Sequence, residues 1–102
     1  MTRLVLLAAL AAGAACGPKV GPTGVSSSDA IVKVKSNVRD AQVFVDGRYV
    51  APLSALRGGV AVDPGVHRFE LRHDDFFSGY LELTLVKAER REVAIELAPM
   101  LP

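Results

Sequence analysis

One thiol, two imidazoles and a cluster of carboxylates are the groups in this 102-residue chain that could do chemistry. Cys16 is the single cysteine, standing where an apolar run gives way to a Gly/Pro/Ser-rich one. His73-Asp74-Asp75 offers groups for metal ligation or acid/base work, but ligands ordinarily converge from separated elements, and a polar run in a loop is ordinarily solvated. His67 shares its alternation with Phe69 and Leu71, which predicts a ring lying against the end of a sheet with a nitrogen bonded to backbone. Six residues at about 3.3 Å each put His67 and His73 roughly 20 Å apart on one strand, too far to share a metal. Ser26-Ser27-Ser28 has no organised His or Lys beside it to activate a nucleophile. Gly58-Gly59 runs into a strand instead of a helix N-terminus, so it does not form a phosphate-cradling loop. The expectation is a chain with no catalytic residue, no metal and no cofactor.

The elements around Cys16 explain the thiol better than catalysis does. Met1-Thr2-Arg3 is a short basic start, Leu4 to Leu10 an apolar centre, and Ala11-Ala12-Gly13-Ala14-Ala15 a run of small residues, the three-part plan of a secretory signal. The apolar stretch is far short of the roughly 20 residues that a spanning helix needs. A single cysteine left over in a secreted chain calls for a modification. The segment resembles a bacterial lipoprotein signal: Ala14 and Ala15 match the small residues before the cut, while Gly13 stands where that family prefers Leu. The resemblance implies cleavage before Cys16, a diacylglyceryl group on its thiol and acylation of its freed amine. Residues 1–15 are then the signal peptide and 16–29 a lipidated cysteine with a flexible tether. Gly17 is not the aspartate that retains some lipoproteins in the inner membrane, so the expected address is the outer membrane, facing the periplasm or the cell surface.

The tether from Gly17 to Asp29 is rich in Gly, Pro and Ser and has no hydrophobic period. As a flexible coil it reaches roughly 20 Å, enough to hold a domain clear of lipid headgroups. Of 12 Lys+Arg and 11 Asp+Glu, only Arg3 precedes Cys16, so the mature chain is formally neutral. That argues against nucleic acid as a partner held by bulk charge.

From Ala30 the period becomes two. Ala30, Val32 and Val34 alternate with Ile31, Lys33 and Lys35. Val43 and Val45 follow a polar turn, and Asp46-Gly47 predicts a tight turn into Arg48-Tyr49-Val50, because Asp and Gly readily take positive φ. Leu53 to Arg57 reads equally as one helical turn or an irregular crossover. Val60 and Val62, then His67, Phe69 and Leu71, then Leu81, Leu83 and Leu85, then Val93, Ile95 and Leu97 continue the pattern, with Asp63-Pro64-Gly65 as a turn and His73 to Gly79 as a loop. Six or seven such strands over 30–98, with a tail at 99–102, predict an all-β fold: a small antiparallel β-sandwich of immunoglobulin/transthyretin-like type.

Ala41-Gln42-Val43-Phe44-Val45-Asp46-Gly47, Pro52-Leu53, Pro64-Gly65-Val66-His67-Arg68-Phe69-Glu70-Leu71, Gly79-Tyr80 and Val93-Ala94-Ile95-Glu96-Leu97 together resemble the PEGA domain, a small β-sandwich of bacterial envelope proteins. Of the four residues that give that family its name, Val38-Arg39-Asp40-Ala41 keeps only the alanine. The resemblance implies a non-catalytic structural or interaction module. Phe76 and Phe77, adjacent aromatics in the His73–Gly79 loop, cannot easily both face a core. One reading has one of them plugging the open end of the sandwich and the other covering a seam. The other reading makes them the contact for an envelope protein, a glycan or peptidoglycan. The alternative function is a small envelope hydrolase or metal-binding protein using His67, His73 and Asp74 or Asp75.

If Cys16 carries the anchor, Cys16→Ala should abolish incorporation of labelled fatty acid and move the protein out of the membrane fraction. Each buried methylene contributes about 0.8 kcal/mol, so two or three acyl chains hold the wild type firmly. An unlabelled wild-type protein would refute the anchor.

Overall fold

The computed structural model describes residues 26–101. Cys16 and the signal segment lie outside the described residues. Seven strands follow one another: β1 (Ala30–Lys35), β2 (Gln42–Val45), β3 (Arg48–Pro52), β4 (Val60–Val62), β5 (Gly65–His73), β6 (Phe76–Leu85) and β7 (Arg90–Ala94). Leu53–Ala55, between β3 and β4, is a single 3-10 turn, which settles the ambiguous stretch in favour of a short helical turn. Three strands form one sheet in the order β4-β1-β7, and four form the other in the order β3-β2-β5-β6.

The alternating residues meet in one core. Ala30, Val32, Val60 and Val62 from the three-stranded sheet pack in a single cluster with Val43, Val45, Phe69, Leu71, Leu83 and Leu85 from the four-stranded one. Each fully buried Val, Leu or Phe contributes about 1.5–3 kcal/mol by leaving water. This burial has to hold the domain by itself, because a chain with one cysteine cannot form an internal disulfide.

Pairing is antiparallel except between β1 and β7, where Ile31 to Lys35 run parallel to Arg90 to Ala94. The exception follows from the short β6–β7 connection. That connection crosses from one sheet to the other at the end of the sandwich where β1 begins, marked by the Ala88 N–H bond to Ser28 O and the Ile31 N–H bond to Glu89 O. Both strands therefore set out from the same end.

The ends of the domain depart from the sequence reading in two places. Asp29, placed in the tether, is buried, and its carboxylate accepts the Ser26 N–H at 2.9 Å. Ordered structure thus begins before Ala30. At the C-terminus, Pro99 bridges to Phe76, and the Met100 N–H bonds to Asp75 O, so the tail continues along β6. Beyond the end of β7, the side-chain amide of Asn37 bonds both Leu97 N–H (2.9 Å) and Leu97 O (3.0 Å), replacing a strand partner.

Positive φ recurs at several turns among the described residues, and at two of them it bears on how the strands pack. Asp46 and Gly47 adopt φ of 53° and 82°, the conformation of the expected two-residue turn. Gly59 has φ +95° and lies so close to β1 that an added Cβ would sit 2.8 Å from Val32 O. Its neighbour Gly58 has open space at the same position. Gly59→Ala should therefore destabilise the domain by about 2 kcal/mol or more in urea denaturation, while Gly58→Ala should change it by about 0.5 kcal/mol at most. Equal effects at the two positions would contradict the close approach of Gly59 to β1.

Candidate functional site

His67 and His73 stand at opposite ends of β5, and each is occupied as a clasp. The Nδ1 of His67 lies 2.6 Å from Asp46 Oδ2, in the β2–β3 turn, and its Nε2 lies 2.6 Å from Asp63 O, just past β4. Both partners are acceptors, so the ring bonds both only when both nitrogens carry hydrogen. Because β4 and β2 belong to different sheets, His67 ties the sheets together at that end. The expected bond from this ring to backbone is present.

At the other end, His73 Nδ1 accepts the Asp75 N–H at 3.1 Å, which leaves Nε2–H to donate to Asp40 Oδ2 at 3.1 Å. His73 thereby fastens the β1–β2 loop to the tip of the β5–β6 hairpin. Asp74 and Asp75 form the exposed two-residue tip. Among the described residues, no group of three His, Cys, Asp or Glu is placed to hold a metal ion.

Phe76 and Phe77 are not in a loop. Both belong to β6, because the hairpin turn takes only Asp74 and Asp75 and pairing resumes at His73↔Phe76. Between that pair and Leu71↔Gly79 the register advances two residues on β5 but three on β6. The extra residue is a bulge at Phe77-Ser78, and a bulge re-aims the side chains it carries. The two rings accordingly part company. Phe76 packs on the core and meets the His73 ring edge-on at 5.2 Å between centroids. Phe77 is 57% exposed.

A further surface feature was not singled out in the sequence. The outer face of the four-stranded sheet carries a continuous row of aromatic and charged side chains. Tyr49 meets Phe44 edge-on at 5.5 Å, the Arg72 guanidinium lies 4.0 Å over the Phe44 ring, and Arg68 lies 4.0 Å over the Tyr80 ring. Glu70 sits between them and is held by Arg72 at 2.9 Å, and this bond keeps its carboxyl below the usual range. Cation–ring contacts at this distance fix the guanidinium planes and present them to solvent already ordered. Tyr49 and Tyr80 remain 52% and 63% exposed. At one end of this face a groove of about 520 Å³ opens between Asp40, Gln42, Phe44, Arg72 and Met100.

Each of these residues occupies an outward position of its strand, where period-two reading predicts only "polar or exposed". A signal was present in the types, because outward positions carried Phe, Tyr and Arg instead of Ser, Thr and Lys. Joining them into one surface needed the strand order β3-β2-β5-β6 and its register. No protein-family model matches this chain, and no curated protein does.

The His67 clasp makes stability depend on pH. Burial alone would lower the pKa of the ring, but its bonds to Asp46 and Asp63 and their charges outweigh burial and raise it above 6.5. Burial would likewise raise Asp46, yet the His67 bond and the Arg68 N–H bring it below 3.8. The His67 contribution is thus complete below pH 6.5 and lost as pH rises through its raised pKa. The Asp46 contribution is complete above 3.8 and lost as pH falls through its lowered one. Urea denaturation should find the wild type less stable at pH 9 than at pH 5.5, by about 0.2–1 kcal/mol for a pair this open to solvent. His67→Gln should remove that difference, and a wild type equally stable at both values would contradict the clasp.

Proposed function

We propose that this chain is a lipid-anchored module of the bacterial envelope, similar to the PEGA domain, that binds a partner instead of catalysing a reaction. The binding face in this reading is the outer face of the four-stranded sheet. One observation carries it: Tyr49, Phe44, Arg72, Glu70, Arg68 and Tyr80 form a contiguous row on that face, joined by an edge-on ring pair, two cation–ring contacts and an ion pair. Tyr and Arg are the residue types that dominate the energetic centres of protein interfaces. They offer large contact area with few rotatable bonds, and here the stacking has already restricted them, which lowers the entropic cost of association.

The signal-like segment 1–15 before Cys16 supports the anchor, and Gly17 after it, where an aspartate would favour the inner membrane, supports the outer membrane as its address. A tether leading to Asp29 enters the sandwich where β1 begins, so the row on the far sheet lies along the flank of the domain, accessible to an envelope protein or a peptidoglycan strand. Phe77, exposed at the bulge, extends the apolar part of the same proposal.

A photo-crosslinking residue at position 80 or 77 in intact cells should capture one defined envelope protein or a peptidoglycan fragment. With the crosslinking residue at position 77, Arg68→Glu with Tyr80→Ser should abolish capture while leaving the domain folded, because neither side chain is buried. Phe76→Ser is unsuitable for this purpose, since its ring packs on the core. Capture that persists in the double variant, or adducts spread over many unrelated proteins, would overturn this reading.

A further inference from the structure

A second surface, independent of the aromatic row, lies at the edge of β1. Alternate residues of a strand send their backbone groups to opposite sides. The Ile31 N–H donates to Glu89 O at 2.8 Å, and Lys35 O accepts the Ile95 N–H at 2.9 Å, both on the β7 side. The backbone N–H and C=O of Val34 therefore face the other way, toward β4. But β4 pairs with β1 only from Ala30 to Val32 and then leaves the sheet through Gly59 and Gly58. Among the described residues nothing pairs with the second half of β1 on that side, which makes it an open edge.

A groove of about 410 Å³ occupies the space that β4 vacates, between this edge and the crossover from β3. Its floor is apolar: Val34, Leu53 and Leu56. Its rim is basic: Lys33, Lys35, Arg39 and Arg57, with no carboxylate lining it among the described residues. Lys35 is paired with Glu92 at 3.1 Å. Lys33, Arg39 and Arg57 have no ion-pair partner among the described residues. In a mature chain of balanced charge, three uncompensated cations around one concavity amount to a local field that attracts an anion.

We propose that this groove binds an extended acidic peptide segment of a partner protein, which adds as a strand to the open half of β1. The charge on the rim selects acidic side chains, and the free amide and carbonyl of Val34 select a peptide backbone over a phosphate or a lipid headgroup, neither of which offers a donor and an acceptor in strand register. The open edge from Lys33 to Ser36 spans about 13 Å, room for roughly four residues. Alternate side chains of such a segment point down onto Val34, Leu53 and Leu56, and the others meet the basic rim. This is recognition by strand addition, in which backbone bonds supply affinity and alternate side chains supply specificity.

The test uses the purified full-length chain and a labelled acetyl-Val-Glu-Val-Glu-Val-Glu-amide peptide, read by anisotropy and by the amide resonance of Val34. The peptide should bind and shift that resonance, and Arg39→Glu with Arg57→Glu should weaken it at least about tenfold. Two further peptides, N-methylated at alternate residues in opposite phases, separate backbone pairing from simple charge attraction. One phase blocks the edge facing β1 and should bind about tenfold more weakly, while the other should bind as the parent does. Equal binding by all three peptides would overturn the proposal, as would displacement by inorganic pyrophosphate at the peptide's own concentration. A Val34 resonance that shifts with protein concentration alone would also overturn it, by showing a second copy of the chain in the groove. Because the aromatic row is untouched by these variants, failure here leaves the crosslinking result from position 80 unaffected.

Discussion

Period two on β5 is the constraint from which the rest of this domain follows. Phe69 and Leu71 are fully buried between the sheets, and the residues that flank them, Arg68, Glu70 and Arg72, stand on the opposite face. A slip of one residue would bury three charges and expose two large apolar side chains, so the register is strongly specified. His67 and His73 close the two ends of the same strand. One binds Asp46 and Asp63, the other Asp40 and the Asp75 amide, and the loops that meet β5 are thereby fixed to it. Histidines that might have served as bases or ligands are engaged in holding loops.

The same strand links the core to the outer face of the sheet. Burying Phe69 and Leu71 is what places Arg68 and Arg72 on a rigid sheet, and the neighbouring strands supply Phe44 and Tyr80 beneath their guanidinium groups. Side chains carried on strands are held in place more closely than those on loops, and the central strands β2 and β5 are bonded on both sides. The bulge at Phe77-Ser78 is the one local relaxation of that regularity. It separates two adjacent aromatics, seating Phe76 on the core and releasing Phe77 to solvent.

Charge is distributed unevenly over a chain whose total is near zero. Carboxylates are taken up by the histidine clasps and by arginine pairs such as Glu70 with Arg72 and Glu89 with Arg91. Cations gather around the groove where β4 stops short of the end of β1. Gly59 stands where β4 leaves β1, at φ +95° and too close to Val32 O to admit a Cβ. The sheet edge left open there carries its own basic rim.

What the sequence determined by itself is what depends on neighbours along the chain. The alternation of Val43 and Val45, of Phe69 and Leu71, and of Leu83 and Leu85 specified strands with one buried face, and Asp46-Gly47 specified its turn, because pleat and φ are local properties. The proposed anchor at Cys16 rests on local grounds alone. Tertiary structure decided everything that required knowing which strands lie side by side. The parallel β1–β7 pair, the bulge that moved Phe76 and Phe77 from a loop into β6, the row from Tyr49 to Tyr80 and the open edge at Val34 all arise from strand order and register. Those are fixed by how two sheets share one core, where residues far apart in the chain compete for the same buried space, and no spacing within a single strand records the outcome.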